Sequence, residues 1–148
     1  MAMDIEFDFL LHSDKASLDG TQYFEILPGS YLGEHWVEGC RFVDEYTFGL
    51  FEGVFEKHWQ QYDHYGIVQV ARPQWEDVLE DLAAFAHSLE AAGNSRVSLP
   101  YCQSVKIRDA FDQDFAANQR HLSALIASLV NWLRPTLAAH EVVSVLGI

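Results

Sequence analysis

Cysteine is scarce in this chain: Cys40 and Cys102 are its only two among 148 residues. Without a second pair nearby they give neither a zinc spacing nor a CxxC redox motif, and two reduced, buried thiols in a cytosolic protein are expected, a single bridge between them being the alternative. Basic side chains are scarce too. Nine Lys and Arg stand against 22 Asp and Glu, a formal net charge of −13, and that sign excludes a direct binder of phosphate backbones. No apolar run approaches the roughly 18–20 residues of a membrane span. The opening MAMDIEFDFLLH carries Asp4, Glu6 and Asp8 and no basic stretch, so it does not read as a secretory or mitochondrial leader. There is no Gly-rich phosphate loop, no nucleophile elbow, no HExxH, no repeat and no Pro/Gly/Ser-rich linker.

What is present suits one compact domain. Hydrophobic residues make up 49% and aromatics 14% of the chain, far from a disordered composition. The acidity is uneven: residues 1–90 hold 18 acids and 4 bases, residues 91–148 hold 4 acids and 5 bases. With no linker between them, the two parts are faces of one fold.

Ile5, Phe7, Phe9 and Leu11 alternate with Glu6, Asp8 and Leu10, which predicts a strand over 5–11. TQYFEIL at 21–27, after a turn at Asp19-Gly20 and before Pro28-Gly29-Ser30, predicts a second strand paired with it as a hairpin. Gly33 and Gly39 favour loop over helix in 31–40. From Phe42 to Trp59 apolar residues recur at three and four, predicting one helix weakened by Gly49 and Gly53. IVQVA at 67–71 reads as a buried strand. Pro73, Glu76 and Asp77 open a helix whose face is Trp75, Val78, Leu79, Leu82, Phe85, Ala86 and Leu89, stopped by Gly93-Asn94. RVSLPY at 96–101 reads as a short strand. A last helix begins near Asp109, with Pro135 kinking or ending it, and VVSVLGI at 142–148 reads as a strand docked in the sheet. The sum is a single α+β domain over 1–148, a mainly antiparallel sheet packed on two or three helices.

The acidic first part, a helix running into YDHYG (62–66), a strand leading to RPQWEDVLEDL (72–82), and a final helix followed by VSVLGI resemble the small cytoplasmic immunity proteins of bacterial polymorphic-toxin systems. The resemblance covers roughly residues 40–148 in layout, and its distinctive pieces are Tyr62–Gly66 and Arg72–Leu79. It implies an immunity protein that binds and neutralises a cognate toxin domain, often a nuclease, by occlusion, with no catalytic residues and no cofactor.

The residues themselves agree with a basic partner. Asp44, Glu45, Glu52 and Glu56 would line the exposed side of one helix, with Glu34 and Glu38 close by in sequence; such a field speeds encounter with a basic surface. The same acids would also serve merely as a solubilising face. Trp36, between Glu34 and Glu38, is the favoured aromatic anchor and Tyr31 the second, although a core position suits Trp36 as well. Trp75 and Trp132 fall on helical stripes and are expected in the core. At YDHYG, Asp63 beside His64, with Tyr65 and His58 near, is the alternative centre: a small enzyme or ligand-binding domain in which the Asp orients the imidazole. A structural role for these residues is the third option there. His58, His64 and Asp63 lack a zinc spacing, and Asp112 with Asp114 lacks a calcium loop, so no metal is expected. An acidic mimic of nucleic acid, binding basic proteins in general, is a further reading. The last helix has a partly heptad-like face that would serve a second copy or a globular core equally.

Overall fold

The segment YFEILP sets the plan of the molecule, because its side chains alternate across a sheet that is covered on both faces. The computed structural model describes residues 5–20 and 22–148; Asp4 in the acidic opening and Thr21 at the start of the second expected strand lie outside them. Strand β1 (Tyr23–Pro28) sends Phe24 and Ile26 to one face and Tyr23 and Leu27 to the other. β2 (Arg41–Asp44), β3 (Ile67–Ala71) and β4 (Val142–Leu146) complete a four-stranded, wholly antiparallel sheet in the order β2-β1-β4-β3. The C-terminal strand is central. Four of the five residues of VVSVL are buried, which suits a β-branched run between two neighbours. β3 is an edge strand: Val68 and Val70 are buried while Ile67, Gln69 and Ala71 are exposed, so the expected fully buried strand is half-buried.

Among the described residues, five α-helices lie on the inner face, α1 (Glu45–Phe48), α2 (Gly53–His58), α3 (Arg72–Ala92), α4 (Val105–Asp112) and α5 (Phe115–Ala139). α3 runs for 21 residues, with a proline in its first turn and Gly93 at φ +57° closing it. Trp75 is fully buried and donates its indole N–H to the Val143 carbonyl at 3.2 Å, tying α3 to the central strand. The single last helix expected from near Asp109 is two helices, because Asp114 leaves the helical region at φ −144°. Pro135 does not end α5, which continues to Ala139; the Thr136 hydroxyl donates to the Trp132 carbonyl at 2.7 Å beside it. By length and composition α5 could cross a membrane, contrary to the reading that no run comes close, but its Leu122, Ile126, Leu129 and Leu133 are buried in the core. Trp132 is only half-buried, under the Arg41 guanidinium at 4.9 Å.

Four further expectations are corrected. Residues 5–11 are extended but form no strand: only His12 pairs, exchanging both backbone hydrogen bonds with Phe42, so this segment borders β2 and makes no hairpin with β1. Phe7 and Phe9 instead lie across Phe111 and His121 of α4 and α5. The expected helix over 42–59 is β2, α1 and α2, since Phe42 and Val43 pair with β1 before the chain turns. RVSLPY is no strand. Its backbone is held by the fully buried Gln119, whose carbonyl accepts from the Val97 N–H at 2.8 Å and whose amide donates to Ser95 O at 2.9 Å.

Residues 29–40 cover the outer face as a loop. Buried Glu25 on β1 accepts from the Trp36 N–H at 2.9 Å and pairs with His35 Nδ1 at 2.9 Å, while Trp36, at φ +63°, stacks on Phe42. The outer cluster contains Cys40, whereas Cys102 belongs to the inner core; both thiols are free.

An acidic cleft as the candidate functional site

Two glycines build the site. A β-carbon on Gly53 would stand 2.6 Å from the Tyr101 carbonyl oxygen, and one on Gly49 would stand 2.7 Å from Ile107 Cδ1. Without those carbons the GLFEG turn lets segment 101–107 pass close against α1 and α2, and Gly53 N–H donates to the Tyr101 carbonyl at 2.9 Å. Between the two walls lies a cleft of about 190 Å³ lined by Glu45, Tyr46, Glu52, Glu56, His64, Tyr101, Gln103, Ser104 and Ile107 as well as the two glycines.

Glu52 is its organising group. Its carboxylate, 13% exposed, accepts from the Tyr62 hydroxyl at 2.6 Å and pairs with His64 Nδ1 at 2.6 Å. Burial, and then donation to this carboxylate, pushes the Tyr62 hydroxyl far above an ordinary phenol, so it stays a neutral donor. Glu56 accepts from the Gln103 amide at 2.9 Å, across the cleft. None of the lining residues is Lys or Arg. The neighbouring Lys57 reaches away to Asp81 at 2.8 Å, which also pairs with His58 at 2.6 Å, and the hydrogen bond from Lys57 holds the Asp81 carboxyl below its ordinary range. Glu52 is thus satisfied by Tyr62 and His64, while Glu45 and Glu56 border a recess whose lining holds no Lys or Arg, and its field favours an ammonium or guanidinium group.

The residues expected to act together fall into two sets. Glu45, Glu52, Glu56 and His64 converge on the cleft, but Glu52 is half-buried and hydrogen-bonded where an exposed helical face was expected. Asp44 caps α1, accepting from the Thr47 N–H at 3.1 Å and the Thr47 hydroxyl at 3.0 Å; burial nonetheless pushes its carboxyl up. Glu34, Trp36 and Glu38 sit on the outer-face loop and share no pocket with the cleft. Trp36 is half-buried against Phe42, so it serves chiefly to close that face. The cleft's far wall, Tyr101, Gln103, Ser104 and Ile107, escaped the sequence reading. The Gly49-x-x-x-Gly53 spacing was the available signal for a close approach there.

The Asp63–His64 pairing does not form. Asp63 accepts from the Tyr65 N–H at 3.0 Å within its own turn, and His64 is oriented by Glu52. Tyr65 is 79% exposed, with its ring edge-on to that of His64. A different Ser, His and Asp do meet: His12 Nε2 lies 2.6 Å from Asp8 and Nδ1 2.8 Å from Ser17 Oγ. Ser17 Oγ donates its one hydrogen to Asp14 O at 2.8 Å, so it accepts from His12, the reverse of an activated nucleophile. The nearby N–H groups of Ala16, Ser17 and Leu18 are also spent within that turn, leaving no oxyanion donors there. The group is a clasp that fixes the N-terminal segment to β2. Among the described residues, no cluster of three or more His, Cys, Asp or Glu is arranged for a metal ion. No family model matches the chain, nor does any of the characterised proteins or solved structures compared with it.

Proposed function

We propose that this protein is a cytoplasmic inhibitor of the immunity type, which binds a basic toxin domain and neutralises it by occlusion, with no chemistry, cofactor or nucleic-acid contact of its own. The observation that carries the reading is the cleft in which Glu45, Glu52 and Glu56 meet with no Lys or Arg in the lining and with His64 engaged by Glu52. A Lys or Arg of the toxin entering that recess would find charged acceptors already held in place by Tyr62 and Gln103. The net charge of −13 and the likeness of YDHYG and RPQWEDVLEDL to immunity proteins support the same reading.

The test is capture of partners by the tagged chain from lysate of its native organism across a salt series, followed by comparison of the wild type with a Glu45→Lys/Glu56→Lys variant. One stoichiometric basic protein is expected, released as salt rises, toxic when expressed alone and tolerated with the wild type but not with the variant. A blank, or a partner held equally well by the variant, would sink the reading. Recovery of many basic proteins would replace it with a general nucleic-acid mimic.

A second reading rests on Glu52 and His64: an imidazole oriented by a carboxylate on the wall of a cleft is equipped to take a proton from a small ligand. It expects turnover or binding of a small ligand by the chain alone, with no toxin present, and its loss in His64→Gln.

A further inference from the structure

The two edges of the sheet are treated differently. At the β2 edge, Phe42 has both its outward backbone groups taken by His12, which Asp8 and Ser17 fix in place. At the β3 edge, among the described residues, no strand pairs. The ladder shows which groups are left over. Gly147 N–H donates to Gly66 O and Arg72 N–H to Glu141 O, so the even-numbered residues 66–72 turn their backbone toward β4. By the alternation of an antiparallel ladder, Ile67, Gln69 and Ala71 direct theirs to the open side. IVQVA also lacks the lysine, proline or inward charge that ordinarily protects such an edge.

We propose that this edge is a self-association surface, on which a second copy of the chain adds its own β3 antiparallel about Gln69, joining two four-stranded sheets into one of eight. That register sets Gln69 against Gln69 and Ile67 against Ala71, so every residue with outward groups meets another. Ala71 O is committed to the first turn of α3, leaving four hydrogen bonds: two between the Gln69 residues and one from each Ala71 N–H to the opposite Ile67 O. The flanks are complementary. Exposed Arg72 follows the strand and exposed Asp63 precedes it, and a two-fold axis brings the first beside the second in the other copy. Tyr65, 79% exposed, comes opposite Pro73. This charge match across the axis favours a second copy over a basic partner strand, which would meet Arg72 with its own sign. The proposal is independent of the acidic cleft, which is lined by other residues.

A strand pair of this length buries less than the roughly 1,200 Å² of a stable interface, so the dimer is expected to be weak and to form over about 10 µM to 1 mM. Sedimentation velocity of the full chain over that range reads it. Because each copy carries −13, association should strengthen as salt rises, opposite to capture of a basic toxin. Ala71→Pro removes an N–H that bonds nothing within the chain, at a φ of −68° that proline adopts. Ile67→Lys puts a charge of the kind that ordinarily guards an open edge opposite Ala71 of the second copy. Both variants are expected to be monomeric where the wild type dimerises, with unchanged Tm. A wild type that stays monomeric throughout, or a dimer that survives both substitutions, would overturn the proposal. So would β3 amides that gain exchange protection only when another protein is added.

Discussion

Replacing Gly53 by alanine sets two effects of opposite sign against each other. Gly53 opens α2, and alanine is favoured over glycine in a helix by up to about 1 kcal/mol. Against that, the added carbon would lie 2.6, 3.0 and 3.1 Å from the O, Cα and C atoms of Tyr101. These are backbone atoms, so relief requires moving segment 101–104, including buried Cys102 and the hydrogen bond from Gly53 N–H. Overpacking of this kind costs about 1–3 kcal/mol. The net expectation is a loss of about 1–2 kcal/mol, or a Tm lower by about 3–8 °C for a chain of this size. Gly49→Ala is the internal control: its nearest obstacle is Ile107 Cδ1 at 2.7 Å, the end of a flexible side chain, so its cost should be smaller and should fall further in Gly49→Ala/Ile107→Val. Thermal and urea denaturation of the four proteins reads the series. A Gly53→Ala protein as stable as the wild type would refute the close seating of Tyr101 on α2, and with it the fixed far wall of the cleft.

Gln119→Leu would leave the part-buried Val97 N–H without its partner, while the carbonyl of exposed Ser95 can turn to water; a loss of about 1–3 kcal/mol is expected in urea denaturation, with faster amide exchange confined first to residues 94–101. Asp81 has its folded pKa lowered, so its contribution to stability is complete above its unfolded value near 3.8 and is lost as the pH falls through the folded value. Asp81→Asn should therefore be less stable than the wild type at neutral pH and converge with it in acid, as followed by melting curves across the carboxylate range. Burial, with Glu25 second, pushes the Cys40 thiol up to about 11, and burial also raises Cys102. Neither should react with a thiol reagent near pH 8 in the native protein, and both should react at once in denaturant; fast native labelling would contradict this packing.

Local pattern alone was enough wherever one element answers to one period or one punctuating residue. The Pro73 start, the Trp75-to-Leu89 stripe and the Gly93 stop define α3 in the sequence as in the structure, and the β-branched residues of VVSVL define a strand. Excess negative charge on the first part of the chain is likewise a property of sequence. The acidic cleft was half legible: Glu45, Glu52, Glu56 and His64 were singled out, but as a helical face and as a partner of Asp63.

Only the tertiary structure decided the rest, because in each case the deciding contact comes from a distant part of the chain. Phe42 and Val43 have helical spacing with Tyr46 and Leu50, yet β1 claims them for a ladder. Residues 5–11 alternate as a strand does, but they pack across α4 and α5 and only His12 reaches a backbone partner. Glu52 looks like any surface glutamate until Tyr62 and His64 fold back onto it. Gly49 and Gly53 look like defects in a helix, since their cause is a segment some fifty residues later that needs the space a β-carbon would fill. Periodicity reports which face of an element is apolar; it carries no information on which distant backbone will lie against that face, and here that choice made both the cleft and the open edge of β3.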